Sequence, residues 1–280
     1  MIKRVLRAGQ SAGEVAFARL PGAGPDLTQS RVIGQTANRP WPVPREPWVM
    51  AQTWRDLLFA HWAVPPAGVA RILPDSLELD TFDGRAWIGV TPFEVSGLRP
   101  RGAPPVPLVS RFCELNVRTY VSVDGKPGIF FLSLDAASRL AVMAARRAYR
   151  LPYFRAAMAI DRSGERVHYE SRRVSEDGEP ARFGAAYGPC GAAFHAAPGS
   201  LEYFLAERYC LYTIDETGRP WRADIQHPPW PLQPAHAKIA ENTMTRPWRI
   251  ELPAAQPLLH YARLQRVLIW PLRLTREARR

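Results

Sequence analysis

Three short turns, each carrying a glycine between extended runs, restrict this chain more than any other feature. They are Asp83-Gly84, Asp124-Gly125-Lys126-Pro127-Gly128 and Arg162-Ser163-Gly164. Glycine accepts the positive φ of a tight reversal, so such a pair between strand-like runs marks a hairpin. The flanking runs agree: Leu77 to Phe82 with Arg85 to Val90, Phe112 to Val123 with Ile129 to Leu134, and residues 154–162 with 165–173. Neither an internal repeat nor a strand–helix–strand alternation is visible. The expectation is an α+β protein, mainly antiparallel β, whose sheet curls around a core and carries two or three helices.

Helical segments are expected at four places, one of them only a turn or two from Val69 to Leu73, ahead of Pro74. Trp54 to Trp62 sets Leu57, Leu58, Phe59 and Trp62 near helical spacing, and Pro65-Pro66 ends it. Ala136 to Arg150 is Ala-rich; Asp135 suits its N-cap, and Arg146, Arg147 and Arg150 suit the negative end of its dipole. Arg139, one turn in, would lie on the side of Asp135 and tether it. A short helix from Ser200 to about Arg208 precedes strands at 209–214 and 221–226, and further strands are expected near 236–243, 258–263 and 266–272.

Residues 1–49 show no sustained period, and the run from Arg39 to Pro47 is proline-rich. That composition suggests a flexible Pro/Arg-rich extension, from a start assigned too early, ahead of a single domain over 50–275 and a basic tail at 276–280. The net charge of +11 is concentrated at the ends. Residues 1–50 hold seven Lys/Arg against three Asp/Glu, and residues 246–280 hold eight against two. A nucleic-acid binder needs the basic face on its folded module, so no nucleic-acid partner is expected. Cys113, Cys190 and Cys210 are too few and too scattered for a disulfide framework or a zinc site, and they suit a reducing cytoplasm. No apolar run reaches the ~18 residues that a membrane helix needs, so no membrane partner is expected either. No metal and no cofactor is implied.

One strand is polar in an unusual setting. In Glu114-Leu115-Asn116-Val117-Arg118-Thr119-Tyr120-Val121, a period of two places Glu114, Asn116, Arg118 and Tyr120 on one face. Its neighbour, Ile129 to Leu132, is wholly apolar. A strand buried on both sides must pair such groups or present them to a ligand. Glu114 and Arg118 stand about 13 Å apart along the strand at ~3.3 Å per residue, too far to pair with each other. Cys113 points with Leu115 and reads as a small core residue, and His61, among apolar neighbours, reads as a core histidine before it reads as a base.

Several segments resemble one family: Gln52-x-Trp54, Leu58-Phe59-Ala60-His61-Trp62-x-Val64-Pro65, Leu79-Asp80-Thr81-Phe82-Asp83-Gly84-x-Ala86-Trp87, Glu114 to Tyr120, and Phe131-x-Ser133-Leu134-Asp135-Ala136. In order and spacing they are similar to the YqjF-like family of the acetoacetate decarboxylase-like superfamily, over about Gln52 to Pro271. The resemblance implies a cone- or barrel-like closed sheet around a cavity and no established activity. It also implies where a Schiff-base lysine of lowered pKa would stand, near Phe131 to Asp135. No lysine is there; the chain has only Lys3, Lys126 and Lys238.

Three readings follow. The first is an enzyme acting on a carboxylated or carbonyl small molecule, with Glu114 and Arg118 as catalytic residues and Asn116, Tyr120, Asp135 and Arg139 binding substrate. The second is a non-catalytic ligand carrier or sensor that has lost the lysine. The third is a structural or interaction protein, for instance a homo-oligomer.

Overall fold

The computed structural model describes residues 31–105 and 110–275. Its strands are β1 (Met50–Val64), β2 (Glu78–Leu79), β3 (Ala86–Pro100), β4 (Phe112–Val123), β5 (Lys126–Ala136), β6 (Tyr153–Ser163), β7 (Arg166–Arg173), β8 (Arg182–Pro189), β9 (Cys210–Ile214), β10 (Pro220–Gln226), β11 (Gln233–Asn242), β12 (Leu258–Ile269) and β13 (Arg273–Leu274). Three α-helices, α1 (Pro66–Ala70), α2 (Arg139–Tyr149) and α3 (Leu201–Ala206), complete the main elements.

The strands form one ring-like sheet. β12, β1, β3, β4 and β5 lie side by side. On one side β10 pairs with β12 and reaches β5 through β9. On the other, β5 continues through β6, β7, β8 and β11 back to β12. The central strands are therefore covered on both faces. Leu58, Ala60, Trp62, Leu115 and Val117 pack with Tyr169, Phe183 and Tyr187 on one side. Leu57, Phe59, Phe93 and Leu134 pack with Leu211, Ala223 and Ile225 on the other.

That double burial explains the largest departure from expectation. Residues 54–62 belong to the strand β1, not to a helix. A strand buried on both faces loses its alternation, and a continuous apolar run then mimics a helical period. β12 likewise runs unbroken where two strands were expected, and β8 was not foreseen. The hairpins β4–β5 and β6–β7 form as expected, with Asp124 and Gly125 at φ 53° and 69° and Gly164 at 61°. At Asp83-Gly84 the turn forms, but it closes only the bridge Phe82–Arg85, and β2 pairs with β4. Pairing is mainly antiparallel; β5–β6 and β5–β9 are parallel.

The best helix is shorter than expected and differently capped. Ser138, not Asp135, accepts the hydrogen bond from the Ala141 amide, at 3.2 Å. Leu140 and Met143 of this helix are exposed, while Val142 is buried.

Residues 31–49 do not behave as a flexible extension. Val32 and Trp48 are buried with Ala51, Leu268 and Trp270. The Arg39 guanidinium donates to Asp224 at 3.0 Å, to Gln226 at 3.3 Å and to the Ile225 carbonyl. The Gln226 amide in turn donates to the carbonyls of Val32 and Gln35. Polarity and proline content hid this because the segment is held by hydrogen bonds and two apolar anchors, without a period. Residues 1–30 and the tail at 276–280 lie outside the described residues. Arg39→Ala is expected to cost about 3 kcal/mol, because it strips a partner from buried Asp224. Urea unfolding of the full chain checks this, and an unchanged midpoint would show the strap to be incidental.

Candidate functional site

β4 is the centre of the site. Its register with β3 sets Arg118 beside Gly89, Asn116 beside Thr91 and Glu114 beside Phe93, while β1 sets His61 beside Gly89. Residues opposite one another on paired strands share a face, so His61, Thr91, Glu114, Asn116 and Arg118 lie on the same buried face of the sheet. Phe59 forms its floor. The Arg118 guanidinium lies 5.0 Å from the Phe59 ring centre, the His61 ring stacks 5.8 Å from it, and the Trp230 ring meets it edge-on at 4.9 Å. Gly89 makes room for this grouping: a Cβ there would meet the His61 ring at 3.0 Å and Arg118 Cγ at 3.2 Å.

Arg118 is 5% exposed, yet no acidic side chain pairs with it among the described residues. Among the described residues its guanidinium donates to the Leu205 carbonyl of α3, at 3.3 Å, and its Nε has no partner. The Tyr120 hydroxyl also donates to that carbonyl, at 2.9 Å. His61 Nε2 lies 2.7 Å from the same hydroxyl. Burial, with Arg118 and His260 nearby, holds the His61 pKa well below its ordinary value, so the ring is neutral.

Glu114 sits at the other end of the face. Its carboxyl accepts one hydrogen bond, from the Tyr153 hydroxyl at 3.1 Å, and burial pushes its pKa up to about 8. It is a neutral acid at pH 7, separate from Arg118 as the strand spacing required. Four polar side chains at the heart of the group carry an atom without a partner: His61 Nδ1, Thr91 Oγ1, Asn116 Oδ1 and Arg118 Nε. Trp230 Nε1 adds a fifth, against the same Phe59 floor. Buried polar atoms are usually satisfied; six others without a partner are scattered through the described residues, and these five stand together.

Two residues expected in the site lie elsewhere. Asp135 stands opposite Leu115 in the register, on the face turned towards β7, and is held there by Arg173 at 2.7 Å with both side chains fully buried. Arg139 is exposed on the first turn of α2 and does not bond Asp135. The inferred cap failed because β5 continues to Ala136 and the helix begins only at Arg139. The register also brings His61, read from the sequence as a core histidine, beside the same Gly89 as Arg118. Its signal, a lone histidine in an apolar run, is the same as that of a core histidine, and only the register brings it to Arg118.

No lysine enters the site among the described residues: Lys126 stacks at 5.6 Å over Trp41, and Lys238 is exposed on β11. A surface hollow of about 330 Å3 lies among Arg55, Asp56, Glu94, Ser96, Arg111 and Arg162. Arg162 bridges Asp56 and Glu94 at 2.7 and 3.0 Å, and Arg111 also holds Glu94, so these charges neutralise one another.

A family model described as DUF2071, Uncharacterized conserved protein (COG2071), matches residues 51–266. The "Uncharacterized protein YqjF" of Bacillus subtilis (strain 168) is 49% identical over 231 residues, covering 82% of this chain and 94% of that protein. Among solved structures, "Enduracididine biosynthesis enzyme MppR complexed with pyruvate" superposes with a TM-score of 0.56 at 12% identity, over 85% of this chain and 94% of that one. The acetoacetate decarboxylase of Legionella pneumophila gives 0.53 at 12% identity, over 92% and 96%. At such identity these two establish the likeness of fold.

Proposed function

The chain belongs to the DUF2071 family of uncharacterized conserved proteins, and from that membership we propose that it is a small-molecule pocket protein whose ligand is a carboxylate received by Arg118. One observation carries the reading: a buried guanidinium with no acidic partner among the described residues. An unneutralised buried charge costs several kcal/mol, and a fold that supports one gains only if an anion binds there. Guanidinium is suited to that task, because its fork matches the two oxygens of a carboxylate. The relative complexed with pyruvate is an enzyme of the same fold holding a small carboxylate.

In this reading Arg118 holds the carboxylate, Asn116 orients the ligand, and Tyr120 fixes Arg118's surroundings through the shared Leu205 carbonyl. Glu114, protonated until about pH 8, serves as a general acid. Carbonyl chemistry would proceed without an imine, since no lysine amine among the described residues reaches the site. The absence of that lysine among the described residues also favours a second reading, a binder that senses or carries the same carboxylate without turning it over. A cytoplasmic setting accompanies either reading, supported by three unpaired cysteines, two of them buried.

Arg118→Met tests the proposal. It removes the charge and keeps much of the volume, so it is expected to leave stability unchanged or raise it, as substitutions at functional sites often do. Affinity for short-chain carboxylates, with pyruvate as the first probe, should fall at least about a hundredfold, the worth of a charge-assisted hydrogen-bond pair. Calorimetric titration and thermal melting read the two effects. A variant destabilised by several kcal/mol with carboxylate binding intact would return Arg118 to a structural role.

A further inference from the structure

The hydrogen-bond network around Tyr120 determines which nitrogen of His61 carries the proton. A phenol has one proton to give, and that of Tyr120 goes to the Leu205 carbonyl at 2.9 Å. Because a carbonyl oxygen only accepts, that contact needs the phenol's proton, which assigns the 2.7 Å contact between Tyr120 and His61 Nε2 as a donation from Nε2–H to the phenol oxygen. Nδ1 is left with its lone pair, buried in a residue 1% exposed and without a partner among the described residues. The Cδ2–Nε2 edge of the ring faces Gly89, so Nδ1 is the vertex turned away from β3.

The orphan atoms then divide by chemistry. Arg118 Nε and Trp230 Nε1 are donors, His61 Nδ1 and Asn116 Oδ1 are acceptors, and Thr91 Oγ1 serves either way. A plain carboxylate answers the donors and leaves both acceptors bare. We propose that the ligand is a hydroxycarboxylate, and that His61 Nδ1 accepts the hydrogen bond of its hydroxyl and so determines specificity. This rests on the reading of Arg118 as the carboxylate receptor. An ammonium in place of the hydroxyl is disfavoured: it would add a cation where Arg118 already lacks a counter-charge, and Glu114 is neutral at pH 7. A neutral donor fits both requirements.

The test uses the full chain and matched acids differing at one group: lactate, propanoate and alanine, then 3-hydroxybutanoate, butanoate and 3-aminobutanoate. Binding is read by calorimetry or ligand-observed NMR. In at least one series the hydroxy acid should bind about tenfold or more tightly than the deoxy acid, and the amino acid no better than the deoxy acid. His61→Phe keeps a flat ring over Phe59 and removes the acceptor. It should bring the ratio of hydroxy-acid to deoxy-acid affinity from about tenfold to about one, whatever it does to both affinities together, a split that a merely structural role would not produce. Equal binding of hydroxy and deoxy acids by the unmodified protein overturns the role of His61 while the carboxylate reading stands. Binding of no acid in either series overturns both.

Discussion

Replacing Asp135 by alanine is expected to lower the unfolding free energy by about 3–5 kcal/mol, a large part of the 5–15 kcal/mol that holds a domain together. Arg173 makes three contacts with the Asp135 carboxylate, from Nε at 3.1 and 3.2 Å and from Nη2 at 2.7 Å. Both side chains are excluded from water, at 0% and 1% exposure. Removing the carboxylate strands a guanidinium whose remaining partners are the Glu179 carbonyl and the Phe154 ring, 4.1 Å away. Asp135→Asn, which keeps an acceptor and the volume, should lose less, and the double replacement Asp135→Ala with Arg173→Met should recover much of the loss. Urea denaturation of the three variants measures this. Equal stability of Asp135→Ala and the unmodified protein would mean that the pair contributes nothing, which the burial of both partners opposes.

The second expected effect appears only when pH is varied. Burial raises the Glu114 pKa from 4.5 to about 8 against the weaker influence of Tyr153. The folded state therefore binds this proton more tightly than the unfolded chain does. The corresponding stability is complete below about pH 4.5 and is lost as pH rises towards 8. Glu114→Gln cannot ionise, so its stability relative to the unmodified protein should be near zero difference at pH 4 and grow to roughly 4–5 kcal/mol in its favour at pH 9, at ~1.36 kcal/mol per unit. The neutral, buried His61 acts in the opposite sense, losing stability as pH falls through 6.5. It is common to both proteins and drops out of the difference. Parallel stability curves from pH 4 to 9 would show that Glu114 is solvated in the folded state. If the site is catalytic, the same variant also loses the proton donor, so turnover should fall far more than binding.

How much of this was legible before the fold was known varies from element to element. The hairpins at Asp124-Gly125 and Ser163-Gly164 were, because a positive φ is a local demand that residue type answers directly. The polar face of β4 was also legible, since a period of two survives wherever opposite faces differ in polarity. β1 was not: both of its faces are apolar, and alternation has nothing to mark. Asp135 shows a different failure. Ser138 is a better cap three residues further on, and the true partner of Asp135, Arg173, is 38 residues away on another strand.

Residue identity and spacing along one strand were enough for the fold class, for the polar face of β4 and for the lack of a lysine between Phe131 and Asp135. Tertiary structure alone decided that β4 is buried on both faces, that His61 and Arg118 meet across Gly89, that Asp135 turns away from Glu114, and that residues 31–49 strap the sheet. These rest on register between strands far apart in the chain and on closure of the sheet. A shift of one residue in such a register would exchange the two faces, and no local pattern of residues encodes it.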